Sequence, residues 1–282
     1  MKLNKILLYC ICILLFSSCS RFYSTQSKDI TYVADQKLKL DIYTPKKKTK
    51  ELKNVLVFIH GGNWMNGSKS LYDFFGRGMA RKGTITVVID FRQYPAANSE
   101  MAMDAARSVK WVKENITAYG GDTSKIYVSG HSAGAQLAAL ISTDNSCFDA
   151  LQIKNPIKGC ILIDAFGLDM YTYLKKEEQY KYEEYRTIFS KDQEQWKKGS
   201  PIFHLHEGMP KFIVFVGGKT YPNIVEGSNA FYTELKTYQP NAALIKVPRK
   251  RHTGMIFSYA NPRKKAYSQI LQFMDGRGNE SW

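Results

Sequence analysis

A chain of 282 residues, 44% of them hydrophobic and 13% aromatic, has the material for one large core, which excludes an intrinsically disordered protein. Its formal charge is +15, from 40 Lys and Arg against 25 Asp and Glu. Such an excess either draws the chain to anionic membranes or glycans or simply keeps its loops solvated. No aromatic-interleaved basic motif accompanies it, so nucleic acid is not an expected partner.

The N-terminus reads as an export signal. Lys2 and Lys5 precede an apolar run from Ile6 to Phe16 that is too short to span a bilayer. Phe16-Ser17-Ser18-Cys19 resembles a relaxed bacterial lipoprotein box, which implies cleavage before Cys19 and a lipid on its thiol; an ordinary cleaved signal is the alternative. The expected organisation is a signal peptide over 1–18, a polar leader over 19–28 and one domain over 29–282. The expected location is the periplasm or cell envelope, with membrane attachment only through Cys19. Loss of Lys2 and Lys5 leaves +13. Cys147 and Cys160 then remain unmodified, and Cys160 lies in a core-strand pattern, which favours free thiols over a disulfide.

Ile30 to Ala34 and Leu38 to Tyr43 alternate apolar and polar residues as a half-buried hairpin does, and Pro45 with the lysines after it ends the pair. Asn54 to Ile59 is continuously apolar, the pattern of a strand covered on both faces of a parallel sheet, and it runs into His60-Gly61-Gly62-Asn63-Trp64. A helix is predicted over Leu71 to Lys82, closed by Gly83, then a buried strand over Ile85 to Ile89. Ser99 to Tyr119 has apolar residues every three or four positions and ends at Gly120-Gly121-Asp122, which predicts a long amphipathic helix. Ile126 to Leu140 reads as strand, tight turn and helix with Gly130-His131-Ser132-Ala133-Gly134 at the turn. There a strained serine is pushed clear of the sheet, and the two glycines supply clearance.

Ile157 to Ile163 is a further buried strand that ends in Asp164-Ala165-Phe166-Gly167. Residues 168–210 interrupt the alternation and are dense in Tyr, Lys and Glu. A structureless loop of that length is improbable in a compact domain, so a helical insertion over the mouth of a site is expected. Strands over Lys211 to Val216 and Ala242 to Val247 follow, with helices over Ser228 to Tyr238 and Tyr259 to Met274. Strands alternating with helices after an antiparallel start predict one α/β domain with a mostly parallel twisted sheet and helices on both faces. Its functional residues belong on loops at the carboxyl ends of the strands.

His60-Gly-Gly-Asn-Trp, the helix ending Tyr119-Gly-Gly-Asp122, and Gly-His-Ser-Ala-Gly together resemble an α/β-hydrolase of the carboxylesterase and hormone-sensitive-lipase-like group. Kynurenine formamidase-like and feruloyl or acetylxylan esterase-like enzymes are similar in these motifs. The resemblance covers nearly all of the chain after the signal. It implies a serine hydrolase that cleaves carboxylic esters through an acyl-enzyme on Ser132, with no cofactor, no metal and a small-molecule or glycan-linked ester as partner. A serine hydroxyl needs a base to take its proton, and His252 is the histidine downstream of the last strand, in a loop. The amides of Gly62, Asn63 and Ala133 are the implied oxyanion donors, with Gly61 letting the loop bend.

The implied acid is absent from its usual place. Relatives carry an aspartate after the strand that here ends at Val216, where this chain has Thr220. Asp164, Asp169 and Glu226 are the candidates in that order; Asp164 leads because it ends the strand next to the nucleophile's, a position that resembles pancreatic-type lipases. Substrate contacts are expected from Trp64, Phe91, Tyr94, Phe166 and Leu168. An arylformamidase-like amide hydrolase is the rival within the class, and a hydrolase-fold binding protein without catalysis the rival outside it.

Overall fold

The computed structural model describes residues 24–47, 49–176, 183–261 and 265–277. The expected signal, Cys19 and the first residues of the leader lie outside them, as do Tyr180 and Tyr182 of the insertion.

Eight strands form one sheet in the order β1-β2-β4-β3-β5-β6-β7-β8. They are β1 (Ser24–Val33), β2 (Leu38–Pro45), β3 (Lys53–Ile59), β4 (Ile85–Ile89), β5 (Gly121–His131), β6 (Ile157–Ile163), β7 (Lys211–Gly217) and β8 (Ala243–Val247). β1 and β2 pair antiparallel, β2 pairs antiparallel with β4, and β3 to β8 are parallel. Ten helices accompany the strands among the described residues. The first four are α1 (Asp73–Arg81), α2 (Asn98–Asn115), α3 (Ala133–Thr143) and α4 (Ser146–Ala150). Next come α5 (Met170–Lys176), α6 (Glu183–Phe189), α7 (Gln193–Lys198), α8 (Pro222–Tyr238), α9 (His252–Phe257) and α10 (Lys265–Met274).

Successive residues of β3 serve opposite cores, as strand pleating demands. Val55, Val57 and Ile59 join α2, α3, α8 and the insertion on one face, while Leu56 and Phe58 join α1, α9 and α10 on the other. All five side chains are fully buried, the outcome expected of an unbroken apolar run.

The boundaries depart from the sequence reading in several places, among them β5, which starts at Gly121 rather than Ile126 and so takes in residues expected to end the preceding helix. β1 starts at Ser24 rather than Ile30, so Ser24 to Lys28 belong to the sheet and not to a leader. This edge strand reads as polar because Gln26 bonds to Asp41, Asp73 and Arg77 instead of entering the core. α8 starts at Pro222, six residues before the expected Ser228, with proline in the first turn where its missing N–H costs nothing. His252 opens a helix, α9, where a loop is expected. The expected helix from Tyr259 is divided, with a 3₁₀ turn at Ser258–Ala260 and α10 from Lys265.

The insertion is helical, as its length requires. α5, α6 and α7 cross the carboxyl end of the sheet and are tied down by Tyr171 N–H to Ser200 Oγ at 3.0 Å and Ile202 N–H to the Leu168 carbonyl at 3.1 Å.

Candidate active site

The nucleophile's elbow follows from close packing. Ser132 has φ 56° and ψ −124°, a strained positive-φ conformation forced between the end of β5 and the first residue of α3. A Cβ on Gly130 would stand 2.3 Å from the Gly134 carbonyl, and one on Gly134 would stand 2.2 Å from the Ile59 oxygen. The strand, turn and helix therefore close only with glycine at both places. Ser132 is held at its back by three bonds at its own carbonyl, from the amides of Ala135, Gln136 and Phe166 at 3.0, 3.2 and 3.3 Å.

Ser132 Oγ lies 2.9 Å from Nε2 of His252, and Nδ1 of His252 lies 2.7 Å from Oδ2 of Asp164. Asp164 is fully buried and its carboxylate accepts two further bonds, from the Gly217 amide at 2.7 Å and the Thr220 hydroxyl at 2.5 Å. Thr220, at the position where the sequence reading looks for the acid, thus donates to a carboxylate that stands one strand earlier. The other two candidate carboxylates are engaged elsewhere. Asp169 accepts from the Thr172 amide at the start of α5, and Glu226 pairs on the surface with Lys176.

The His60-Gly-Gly-Asn-Trp turn is wound by the Gly62 carbonyl, which accepts from the amides of Met65 and Asn66 at 3.1 and 2.8 Å. Gly62 has φ 135°, and Asn63 and Trp64 are both left-handed at 58° and 61°. Among the described residues the N–H groups of Gly62 and Asn63 have no acceptor. That of Ala133 is one of the first-turn amides a helix cannot satisfy internally. Gly61 differs from the expectation: its φ is ordinary, and glycine is needed because a Cβ would meet the His131 oxygen at 2.8 Å and the Tyr72 hydroxyl at 3.0 Å. Close approach, not bending, excludes a side chain there.

The expected substrate wall is largely interior. Trp64 is fully buried, donates its indole N–H to Gln136 Oε1 at 3.0 Å and meets Tyr185 and Phe189 of the insertion edge-on. Phe91 is 3% exposed and stacks on His60 at 4.5 Å. Leu168 is 1% exposed. These three support the site's walls rather than present an open surface, because the insertion covers the apolar faces that the sequence leaves in need of a partner. Phe166 sits beside the nucleophile, its amide 3.3 Å from the Ser132 carbonyl, and Tyr94 alone of the five is exposed, at 45%.

Several contributors escape the sequence reading. Gln136 is a fully buried amide that bonds to Trp64, to Asn98 and to the Gly199 carbonyl, so one side chain joins turn, helix and insertion. Its signal is a lone polar residue in the otherwise small and apolar run of α3. Tyr185 of α6 reaches the Asn63 side chain at 2.7 Å. His131 is buried against His252, ring centroids 4.6 Å apart and planes at 28°. Burial, reinforced by the neighbouring His252, pushes its pKa down to about 3. His60 is fully buried and shifted in the same direction by burial; its Nδ1 faces the Gly61 carbonyl at 2.8 Å. Cys147 and Cys160 are free thiols. A cleft of about 460 Å³ between the starts of α2 and α4 and the helices α6 and α7 contains none of Ser132, Asp164 and His252.

Residues 40–235 match the BD-FAE family. The chain is 31% identical over 258 residues to the isoprenylcysteine alpha-carbonyl methylesterase of Arabidopsis thaliana, covering 84% of this chain and 58% of that one. It is 29% identical over 280 residues to the esterase LipQ of Mycobacterium tuberculosis, covering 91% and 64%. The chain thus spans about 60% of the length of the curated relatives it matches. Among solved structures, esterase B of Lactobacillus rhamnosis superposes with a TM-score of 0.77 at 15% identity, covering 98% of this chain and 94% of that one. Esterase 2 of Thermogutta terrifontis superposes at 0.70 and 20% identity, covering 92% and 94%. By its match over most of the described sheet and by this likeness of architecture, the chain belongs to the BD-FAE family and has the α/β-hydrolase fold.

Proposed function

We propose that the protein is a serine hydrolase that cleaves carboxylic esters through an acyl-enzyme on Ser132. The observation that carries this reading is the unbroken hydrogen-bonded chain from Ser132 Oγ through His252 to Asp164, at 2.9 and 2.7 Å. His252 Nε2 takes the hydroxyl proton as Oγ attacks the ester carbonyl carbon, and Asp164 keeps the imidazole's Nδ1–H aligned and offsets the charge of the imidazolium. The carbonyl oxygen becomes an oxyanion, which the amides of Gly62, Asn63 and Ala133 would meet without reorganising. Collapse of the tetrahedral intermediate breaks the bond to the alcohol, which leaves with the proton from Nε2. Water, deprotonated by the same nitrogen, then releases the acid and restores Ser132.

The carboxylate that the sequence lacks after β7 is supplied from the end of β6, which removes the ground for a non-catalytic binding protein. Names among the relatives favour esters over amides: a methylesterase, a fumonisin B1 esterase and the esterase LipQ, with one arylacetamide deacetylase among them. The substrate is a small or glycan-linked ester, and Phe166 and Tyr94 are the wall residues best placed to touch it. We further read the chain as exported and anchored at Cys19.

Treatment with a fluorophosphonate and mass analysis tests the assignment: one adduct on Ser132 is expected, along with turnover of nitrophenyl acetate well above that of N-formylkynurenine. An unlabelled Ser132 would sink the hydrolase reading.

A further inference from the structure

Resting on that reading, we propose that Tyr72 and His131 form a one-way hydrogen-bond relay from the oxyanion turn to the backbone of the base, and that His131 is a positioning residue for His252. The direction of each bond is fixed by chemistry. The carbonyl of His252 can only accept, so His131 Nε2, 3.3 Å away, carries the ring's proton and donates it there. His131 Nδ1 is then a bare acceptor, and the Tyr72 hydroxyl, 3.3 Å from it, donates to it. The same hydroxyl oxygen accepts the Gly61 N–H at 3.0 Å. Gly61 to Tyr72 to His131 to His252 is therefore a single chain in which each donor has one acceptor and all the bonds run in the same direction.

The one-way order holds only with a neutral imidazole, because a second ring proton at Nδ1 would turn the Tyr72 hydroxyl from donor into acceptor and reverse that bond. Burial and the neighbouring His252 ring keep it neutral, against the opposing pull of the His252 carbonyl on α9 and of the Asp164 carboxylate after β6; the Tyr72 hydroxyl, from the turn before α1, faces its Nδ1. Packing restricts the geometry further. The two imidazoles stack at 4.6 Å, so His131 sets the plane against which the base rests while its Nε2–H holds the base's own carbonyl. At the other end, a Cβ on Gly61 would collide with His131 Nδ1 and the Tyr72 hydroxyl, both at 3.0 Å, so the relay and the glycine require each other. Two loops from opposite sides of β5, one for the oxyanion and one for the proton, are thereby held in register through the residue preceding the nucleophile.

A set of variants assayed for kcat and KM on nitrophenyl acetate decides this. Glutamine places a donor near Nε2, asparagine reaches only towards Tyr72, and phenylalanine keeps the stacked ring without either bond. His131→Phe and His131→Asn are expected to lower kcat about tenfold with KM within about twofold, and His131→Gln to stay within about threefold of the parent. Tyr72→Phe is expected to cost about threefold in the parent and nothing in His131→Phe, since a broken relay cannot be broken twice. The relay is overturned if His131→Phe keeps full kcat, if Gln falls as far as Asn, or if Tyr72→Phe costs the same in both backgrounds. Should His131→Phe fail to fold, the Gln and Asn pair still decides. Fluorophosphonate labelling of Ser132 in every variant separates failure of the relay from failure of the hydrolase reading.

Discussion

The nucleophile half of the site and its acid–base half are built on opposite plans. The nucleophile comes from one contiguous stretch, β5 to α3, whose shape is dictated by backbone clashes at Gly130 and Gly134 and by the strained positive-φ Ser132. The acid–base half is assembled from three loops far apart in sequence, with Asp164 after β6, Thr220 after β7 and His252 after β8. Steric necessity tolerates no relocation, whereas a carboxylate needs only to reach the imidazole. The carboxylate that reaches it stands at the end of β6, and Thr220 after β7 is a hydrogen-bond donor to that carboxylate.

The sharpest break of that contrast removes the charge of that carboxylate. Asp164→Asn should lower kcat by about 10⁴-fold, because the amide cannot offset the imidazolium and can turn the imidazole into the wrong tautomer. Asp169→Asn and Glu226→Gln should leave kcat within about twofold, as both carboxylates are committed elsewhere. Steady-state kinetics on nitrophenyl acetate for the three variants is the check; a large loss at Asp169 or Glu226 would relocate the acid.

The nucleophile half should break in stability rather than rate. Gly134→Ala puts a methyl 2.2 Å from the Ile59 oxygen and 2.3 Å from the His60 oxygen, both backbone atoms of a central strand and the turn that follows it. Neither can yield without parting β3 from α3, so a loss of about 3 kcal/mol is expected in urea unfolding. Gly227→Ala, with nothing within 4 Å of the new methyl, is the control and should change little.

What the sequence makes legible follows the same division. Gly-His-Ser-Ala-Gly between an apolar strand and a small-residue helix is readable because its constraints act between neighbours. Asp164 is readable as the acid because it ends a buried strand beside that of Ser132. Contacts made across the fold are not readable: Thr220 on Asp164, Tyr72 on His131 and Gln136 on Trp64 join residues separated by some 56 to 72 positions. Trp64 looks like a pocket wall in sequence and is interior because α6 covers it, which no local pattern encodes. α9 has six residues, too few to develop a 3.6-residue period, whereas the early start of α8 carries a local signal in Pro222 that the reading passes over.

Acidity sharpens the contrast further, because the two stacked histidines belong to different halves. His131 is held neutral in the fold down to about pH 3, while in the unfolded chain it protonates near 6.5. The unfolded state therefore binds the extra proton as pH falls through 6.5, and the stabilisation present above that pH is lost progressively down to about 3. At pH 5 the loss from this group is about 2 kcal/mol relative to pH 7.5. His60, also buried and shifted down, acts in the same direction. Urea midpoints at the two pH values should fall together for the parent and noticeably less for His131→Gln, which cannot titrate; equal falls would mean that His131 is already charged in the fold.

The smallest expected effect concerns Thr220, the residue at the place where the sequence reading looks for the acid. Thr220→Val keeps the shape of the side chain and removes only the hydroxyl on Asp164 Oδ2, leaving the Gly217 amide on Oδ1 and the His252 Nδ1–H on Oδ2. One hydrogen bond to a charged group is worth about 1.5–3 kcal/mol, so a loss of about tenfold in kcat is expected where the carboxylate swings away from the imidazole. Thr220→Ser, which retains the hydroxyl without the methyl, should recover most of it. Steady-state kinetics with the three residues at 220 tests whether the threonine orients the acid. If Val and Ser were equally active, the Gly217 amide and the base alone would fix Asp164, and the site would need no contribution from the Thr220 side chain.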